Sequence, residues 1–402
     1  MMKNWGRLQY WILTVLVIFG TGTSVANAQR KSEIVIGYSI SLTGKFSTEG
    51  SDTHRAYQLW AEEVNKQGGI SVKELGGKLP VKLVHYDDSS DTNNAIRNYE
   101  RLITKDEVDL LFSPWGSGHN FAISALTEKN KYPVILTSAG SDRIFQRNFK
   151  YIFQTTQLAS SMYNATVDYL NTQRDQIKTV AIAYENFLFT QSLHDALLAK
   201  LKQSGIQVVA DEQYPLGGQD FTSMLTKIKA AKPDAFVLIN IMPSSVYLTR
   251  QMVEVGFKPK YYSVNIGPMF AEEFIGKLGA ISEGIVENGF WHQDLPFEGA
   301  KKFYDAYVAK YHKNPSTDAA YAYIGNQIMQ QAIEQAGTLN REKITQTLHS
   351  GKFSTILGQY DYDQTGVNKN QLIFLCQVQK GKRLIVWPKE LANKAEVKPF
   401  AP

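Results

Sequence analysis

The chain has 402 residues, 43% of them hydrophobic, and its 43 Lys and Arg residues nearly balance its 38 Asp and Glu residues. This scattered balance, with a formal net charge of +5, argues against a nucleic-acid-binding protein, which needs a concentrated basic face. The length predicts two domains of ~100–200 residues each, and the single cysteine, Cys376, excludes an internal disulfide.

The N-terminal segment predicts an export signal. Lys3 and Arg7 precede an apolar run over residues 10–19, which is shorter than the ~20 residues of a membrane span. Small residues at 26–28 suit a signal peptidase, so residues 1–28 are predicted to be a signal peptide that is cleaved after Ala28. The alternative is an N-terminal membrane anchor. We expect an exported, soluble mature protein without a lipid anchor, because no cysteine stands at the predicted cleavage site.

Strand-like and helix-like segments alternate over most of the chain. A first series is predicted to have strands at 33–40, 81–86, 108–112 and 133–137, with helices at 53–67, 92–105 and 120–131. A second series is predicted to have strands at 178–184, 206–211, 234–240 and 261–264, again with helices between them. This alternation is typical of parallel sheets covered on both faces by helices, so the predicted fold is α/β with two doubly wound lobes.

The pattern changes after Gly289. Helices are predicted at 298–311, 318–336 and 341–350, and a hairpin-like pair of strands at 359–362 and 371–377.

Motifs for catalysis and metal binding are missing from the sequence, which has no HExxH, CxxC or Walker A pattern. Ser117 lacks the preceding glycine of a nucleophile elbow, because Trp115 stands at that position. Acidic clusters at 87–91 and 361–366 depart from a calcium loop, and we interpret the first as a strand end before a helix N-cap and the second as a β-turn. We predict no enzyme activity, no bound metal and no cofactor.

Three loops of the first series are rich in small and hydroxylated residues. They cover residues 41–50, 113–119 and 137–142, and each follows a predicted strand. Ligands of doubly wound sheets bind at the carboxyl ends of the strands, where these loops lie. Backbone N–H groups, serine hydroxyls and the helix after Ser117 suit an oxygen-bearing group. For Ser117 the alternative role is that of a helix N-cap, and the two roles are compatible.

A set of short motifs occurs in a characteristic order and spacing: Ile36-Gly37-Tyr38, Leu42-Thr43-Gly44 with Gly50, Asn65-Lys66-Gln67-Gly68-Gly69-Ile70, Tyr86-Asp87-Asp88 with Asp91, and Thr137-Ser138-Ala139. In these the chain resembles, over essentially its whole mature length, the type I periplasmic solute-binding proteins of the leucine/isoleucine/valine-binding family of branched-chain amino acid ABC transporters. The resemblance implies three crossovers between the lobes, near residues 153–156, 283–292 and 355–360. Lobe 1 would then comprise 29–153 plus 289–356, and lobe 2 would comprise 154–288 plus 357–402.

The resemblance also implies a function. We expect a periplasmic carrier whose lobes close by hinge motion on a small ligand, an amino acid or a related small carboxylate of hydrophobic character. Its implied partners are this ligand and the membrane permease of an ABC importer, with no nucleic acid, and the protein is expected to be a monomer. The alternative is a sensory binding module for an amide or an aromatic acid.

Site residues follow from the same resemblance. The serine that holds the ligand carboxylate in the family falls on Ser117, and the small residues of the next loop fall on Ala139 and Ser141. The acid that pairs with the ligand's ammonium falls near Asn265, a neutral amide. The sequence therefore keeps the carboxylate half of the site and changes the ammonium half.

Aromatic positions of the family are only partly kept. Those usually filled by tyrosine fall on Phe189, Ile241 and Glu49. Glu49 is a candidate to supply the missing charge from the opposite lobe, the alternative being a solvated loop acid. Trp115, Phe46 and Phe189 are predicted to form an apolar wall for the ligand, or else to belong to the core.

Overall fold

The computed structural model describes residue 1, residues 31–392 and residues 395–400. The predicted signal peptide and its cleavage site at Ala28 lie outside these residues, apart from Met1. Within the described part of the chain, no helix has both the length and the apolar character needed to cross a membrane.

Strands and helices alternate through the first part of the chain. The strands are β1 (Ile34–Ile40), β2 (Ile70–Val72), β3 (Gly77–Leu79), β4 (Val81–Asp87), β5 (Leu110–Leu111), β6 (Val134–Leu136) and β7 (Ile152–Gln154). The helices are α1 (Ser47–Lys66), α2 (Thr92–Thr104), α3 (Ser117–Lys129), α4 (Asp142–Phe145), α5 (Ala159–Met162) and α6 (Asn164–Thr172).

The alternation continues through the middle of the chain and then gives way to helices and a final hairpin. The remaining strands are β8 (Thr179–Glu185), β9 (Gln207–Tyr214), β10 (Ala235–Ile239), β11 (Tyr261–Val264), β12 (Val286–Gly289), β13 (Phe353–Thr355), β14 (Gly358–Tyr360), β15 (Phe374–Gln379) and β16 (Lys382–Trp387). The remaining helices are α7 (Leu188–Gln203), α8 (Thr222–Ala230), α9 (Ser244–Glu254), α10 (Ile275–Leu278), α11 (Ala300–Tyr311), α12 (Thr317–Ala336) and α13 (Arg341–Ser350).

The first sheet is parallel, in the order β4-β1-β5, and β6 and β7 form a separate parallel pair. Strand β1 is the middle strand, and both of its faces are covered: Ile34, Ile36, Tyr38 and Ile40 are buried on one face, and Gly37 and Ser39 are buried on the other. The strand order reverses at β1, so the loops that follow β1 and β5 meet at a topological switch point.

The second sheet has seven strands in the order β16-β15-β12-β11-β10-β8-β9. Strands β8 to β12 are parallel to their neighbours, whereas β15 and β16 add to the edge in antiparallel fashion. The order again reverses between β8 and β10, which places a second switch point at the carboxyl ends of these strands.

One predicted pairing is wrong. Strand β14 pairs with β13, and β15 pairs with β12 and β16, so the hairpin predicted for residues 359–362 and 371–377 does not form. The two segments are adjacent strand-like runs in the sequence, but β15 pairs with β12, which has four residues, and not with β14, which has three. The strand prediction at 261–264 and the helix prediction at 341–350 are confirmed.

Both interpretations of the acidic clusters are confirmed. Asp91 is the N-cap of α2, and its carboxylate accepts a hydrogen bond from Asn94 N at 2.9 Å. Asp363 accepts from Thr365 N at 2.8 Å in a turn that Gly366 completes with φ of +80°. A Cβ at position 366 would lie 1.9 Å from Ile152 O, so only glycine allows the turn to approach β7 this closely.

Candidate ligand-binding site

A pocket lies between the carboxyl ends of strands from the two sheets. Its walls come from the loops after β5 and β6, from those after β8, β11 and β12, and from the first turn of α12. The empty space within it, including the part open to solvent, is ≈ 490 Å³. Five aromatic residues line it: Trp115, Phe187, Phe189, Phe290 and Tyr321.

Four of the nine site residues expected from the sequence line this pocket: Trp115, Ser117, Phe189 and Asn265. Ser117 is buried, and its Oγ accepts a hydrogen bond from Ser141 N at 3.2 Å. The N-cap of α3 is Gly116, and no side chain caps this helix. The alternative role of Ser117 as an N-cap is therefore wrong, because its hydroxyl joins two loops of the site.

Ala139 and Ser141 lie in the loop that contributes Ser138 and Gly140 to the lining. Ala139 is fully buried and packs in an apolar cluster that includes Leu136. Ser141 Oγ lies 2.8 Å from Ser192 Oγ on α7, a hydrogen bond that links the loop after β6 to the helix after β8. These two residues therefore shape the loop, with the Ser141 side chain turned to α7.

Phe46 lies outside the lining, behind the tryptophan. Its ring centroid is 5.1 Å from that of Trp115 and 5.3 Å from that of Phe187. Ile241 is also buried outside the lining, and its N–H donates to Glu185 Oε2 at 3.1 Å.

Glu49 is fully buried on α1, so its alternative role as a solvated loop acid is wrong. Its Oε1 accepts a hydrogen bond from Met242 N at 3.0 Å, whereas its Oε2 has no partner. Burial raises the pKa of this carboxyl well above its usual range. Glu49 therefore joins α1 to the loop after β10, beside the pocket and outside its lining.

Asp318 lines the pocket, although no motif in the sequence points to it. It is the second residue of α12, and its Oδ1 accepts a hydrogen bond from Ser138 Oγ at 3.1 Å. Burial raises the pKa of the Asp318 carboxyl to about 7, opposed by the neighbouring Trp115 indole and Ser138 hydroxyl. An acid in the first turn of a helix is usually explained by the helix dipole, so only its burial marks it as unusual.

Several buried polar atoms of the lining have no hydrogen-bond partner. These atoms are Trp115 Nε1, whose geometry toward Asp318 falls short of a hydrogen bond, Thr156 Oγ1, Asn265 Oδ1, Thr317 Oγ1 and Asp318 Oδ2. Buried polar groups nearly always have partners. Their concentration in one pocket with aromatic walls indicates a site for a small molecule that has both polar and apolar parts.

The chemistry that the site offers is hydrogen bonding, ion pairing and apolar contact. The described residues that line the pocket include no His, Lys, Arg or Cys, and Asp318 is the one carboxyl among them. A search of the described residues also found no group of three or more His, Cys, Asp or Glu side chains able to hold a metal ion.

Comparison with known proteins agrees with this architecture. A family model described as "Periplasmic binding protein" matches residues 33–383, and the chain belongs to this family. Leu/Ile/Val-binding protein homolog 7 of Brucella abortus is 23% identical over 384 residues, which cover 90% of this chain and 93% of the relative.

Solved structures show the same fold. The branched-chain amino acid transporter substrate binding protein of Streptococcus pneumoniae, in complex with isoleucine, has a TM-score of 0.77 and 24% identity over 92% of this chain and 100% of that one. An ABC transporter solute binding protein of R. palustris, in complex with benzoate, has a TM-score of 0.78 and 17% identity over 92% and 97%. The predicted resemblance and the two-lobed type I periplasmic binding protein fold are confirmed.

Proposed function

We propose that this protein is the periplasmic solute-binding component of an ABC importer, and that it captures an amino acid or a related small carboxylate of hydrophobic character. The pocket carries this proposal, because unpartnered polar atoms and aromatic walls together match a ligand with one polar end and one apolar end. Isoleucine and benzoate, which the two structural relatives hold, share this division into a carboxylate and an apolar part.

The carboxylate is proposed to bind at Ser117. Its Oγ already accepts from Ser141 N, which leaves the hydroxyl hydrogen available to a ligand oxygen. Helix α3 begins at Ser117, and its N-terminus favours a negative charge there. Ala139 shapes the adjoining loop. The apolar part of the ligand would contact Trp115 and Phe189.

Hinge closure is the proposed means of capture and release. We propose lobe 1 as residues 29–153 plus 289–356 and lobe 2 as residues 154–288 plus 357–402. The hydrogen bonds that then cross between the lobes near the pocket include those from Met242 N to Glu49 Oε1 and between Ser141 Oγ and Ser192 Oγ. Both would break on opening, and a membrane permease would recognise the closed, monomeric form.

A thermal-shift screen of the purified mature protein tests the ligand class. The panel holds the twenty amino acids, their deaminated acids, glycine betaine, aromatic acids, amides and urea. A ligand at 100 times its Kd adds ~2.7 kcal/mol to the free energy of unfolding, which is readily measured. A response to amides or urea alone would reject the proposed carboxylate.

Delivery to an importer needs a test in cells. Deleting the gene should abolish uptake of the radiolabelled ligand found by the screen, and a plasmid copy should restore it. The likeness to a benzoate-bound transporter protein supports an aromatic acid as the ligand, and the second candidate function is a sensory module for such an acid. In that case the deletion would leave uptake intact and remove a transcriptional response to the acid.

A further inference from the structure

The described part of the chain has six buried acidic side chains: Glu49, Asp52, Asp88, Glu185, Glu287 and Asp318. Four of them have hydrogen bonds to both carboxylate oxygens, as expected of acids that hold the fold together. Asp52, for example, accepts from Tyr307 OH and Ser316 N, and Glu185 accepts from Gly217 N and Ile241 N. The same holds for Asp88 and Glu287.

Glu49 and Asp318 are the two whose second oxygen has no partner. Only Asp318 lines the pocket, whereas Glu49 uses its bonded oxygen to link α1 to the loop after β10. Asp318 is also held by Ser138, from the loop that leads to Ala139 and Ser141. Its free oxygen therefore belongs to the ligand site, close to the proposed carboxylate position.

The described lining contains no basic side chain to balance an ionised Asp318. A buried carboxylate without a counter-charge is strongly unfavourable, so a cation is most valuable at this point. The first turn of α12 favours the ionised form, and the lining includes the aromatic rings of Trp115 and Tyr321, a residue type that attracts cations. Asn265, near the position of the family's acid, carries no charge.

Resting on the proposed function, we infer that Asp318 pairs with a positively charged nitrogen of the ligand. The transported solute is then a zwitterion, an amino acid or a betaine, and not a simple carboxylic acid. Asp318 determines this specificity from the first turn of α12, in place of an acid at the Asn265 position.

Calorimetry on matched variants tests the inference. The probes are L-leucine with 4-methylpentanoate, L-phenylalanine with 3-phenylpropanoate, glycine betaine, and any further zwitterion from the screen together with its uncharged-nitrogen counterpart. Asp318→Asn keeps the shape and removes the charge, and it should weaken zwitterion binding about ten- to a hundredfold. Asp88→Asn is the control for a buried acid outside the lining, with both oxygens bonded by Ser39 and Ser41, and it should change Kd by less than about threefold.

The outcomes separate the two levels of the proposal. If zwitterions bind the wild type and Asp318→Asn binds them equally well, or if only the acids bind, the inference is wrong and the proposed function stands. If no zwitterion and no acid binds the wild type, both are wrong. If glycine betaine binds and the amino acids do not, the cation is quaternary, and weaker betaine binding by Asp318→Asn supports the role of Asp318.

Proton release provides a second measurement that needs no variant. A cationic group of the ligand beside Asp318 should lower the pKa of this carboxyl from about 7, so binding near pH 6.5 should release protons. The number of protons released is obtained from the binding enthalpies measured in buffers of different ionisation enthalpy. The other titratable groups that act on Asp318 are Asp52 and Glu49 on α1 and Tyr321 on its own helix. Asp52 is paired with Arg55 and Lys313. Zwitterion binding that releases no protons between about pH 5 and 8 would count against the inference.

Discussion

Replacing Ser117 by alanine separates a ligand contact from a structural contact, because its hydroxyl offers one of each. The oxygen accepts from Ser141 N at 3.2 Å, and the hydrogen is available to the ligand carboxylate. Losing a hydrogen bond to a charged group costs ~1.5–3 kcal/mol, which corresponds to about a ten- to hundredfold increase in Kd. Leaving the Ser141 N–H without its acceptor costs about 1 kcal/mol of folding stability. Ser117→Ala should therefore lose more binding free energy than stability.

The matched control is Ser124→Ala on the same helix. Ser124 is also buried, but its hydroxyl donates to Phe121 O at 2.9 Å and faces Arg147 instead of the pocket. This variant should lose some stability and bind the ligand normally. Isothermal calorimetry gives Kd, and urea denaturation gives the free energy of unfolding. Normal binding by Ser117→Ala, with a loss of stability alone, would refute the assignment of the carboxylate to Ser117.

Three further outcomes are expected. Gly140→Ala should weaken binding, because the new Cβ would lie 2.6 Å from Met162 Cε and 2.8 Å from Phe189 Cε2. Overpacking of this kind costs ~1–3 kcal/mol. Gly118→Ala, whose Cβ would meet Phe187 at 3.4 Å, is the control in calorimetry. The stability of the ligand-free protein relative to that of Asp318→Asn should fall as pH rises from about 4 to about 7, because folded Asp318 keeps a proton that the unfolded chain loses, and thermal unfolding of the two proteins measures this difference. Saturating ligand should lower the radius of gyration measured by X-ray scattering, and sedimentation should still report a monomer. An unchanged radius of gyration would reject hinge closure, and a tight dimer would reject the proposed carrier.

The alternation of the chain was sufficient to predict most elements of the fold, and the misses have physical reasons. Helix α1 begins at Ser47, six residues before the predicted start, because the segment Ser-Thr-Glu-Gly has the composition of a loop. A glycine is needed at position 50 of this helix because a Cβ would lie 2.1 Å from Ser41 O, a close approach that only the folded chain reveals. Strand β12 was missed because Glu287 and Asn288 are polar, although Glu287 is buried against Arg383.

In the candidate site, the composition of the loop after β5 pointed to Ser117, whereas Phe189 and Asn265 were located only through the family resemblance. Ser117, Trp115, Phe189 and Asn265 line the pocket because they follow strands whose carboxyl ends meet. Asp318 could not be selected, because burial depends on how α12 packs against the loop after β6 and leaves no mark on the sequence around it.

The buried cysteine has a practical consequence. Cys376 lies within β15 with no exposed surface, and burial raises the pKa of its thiol to about 12, so it forms almost no reactive thiolate at neutral pH. A single cysteine introduced at exposed Lys45, beside the Phe46 ring that backs the pocket, would then be the one site that a maleimide dye modifies. The wild-type chain is thus ready to be converted into an optical biosensor for its own solute, without first removing a competing thiol.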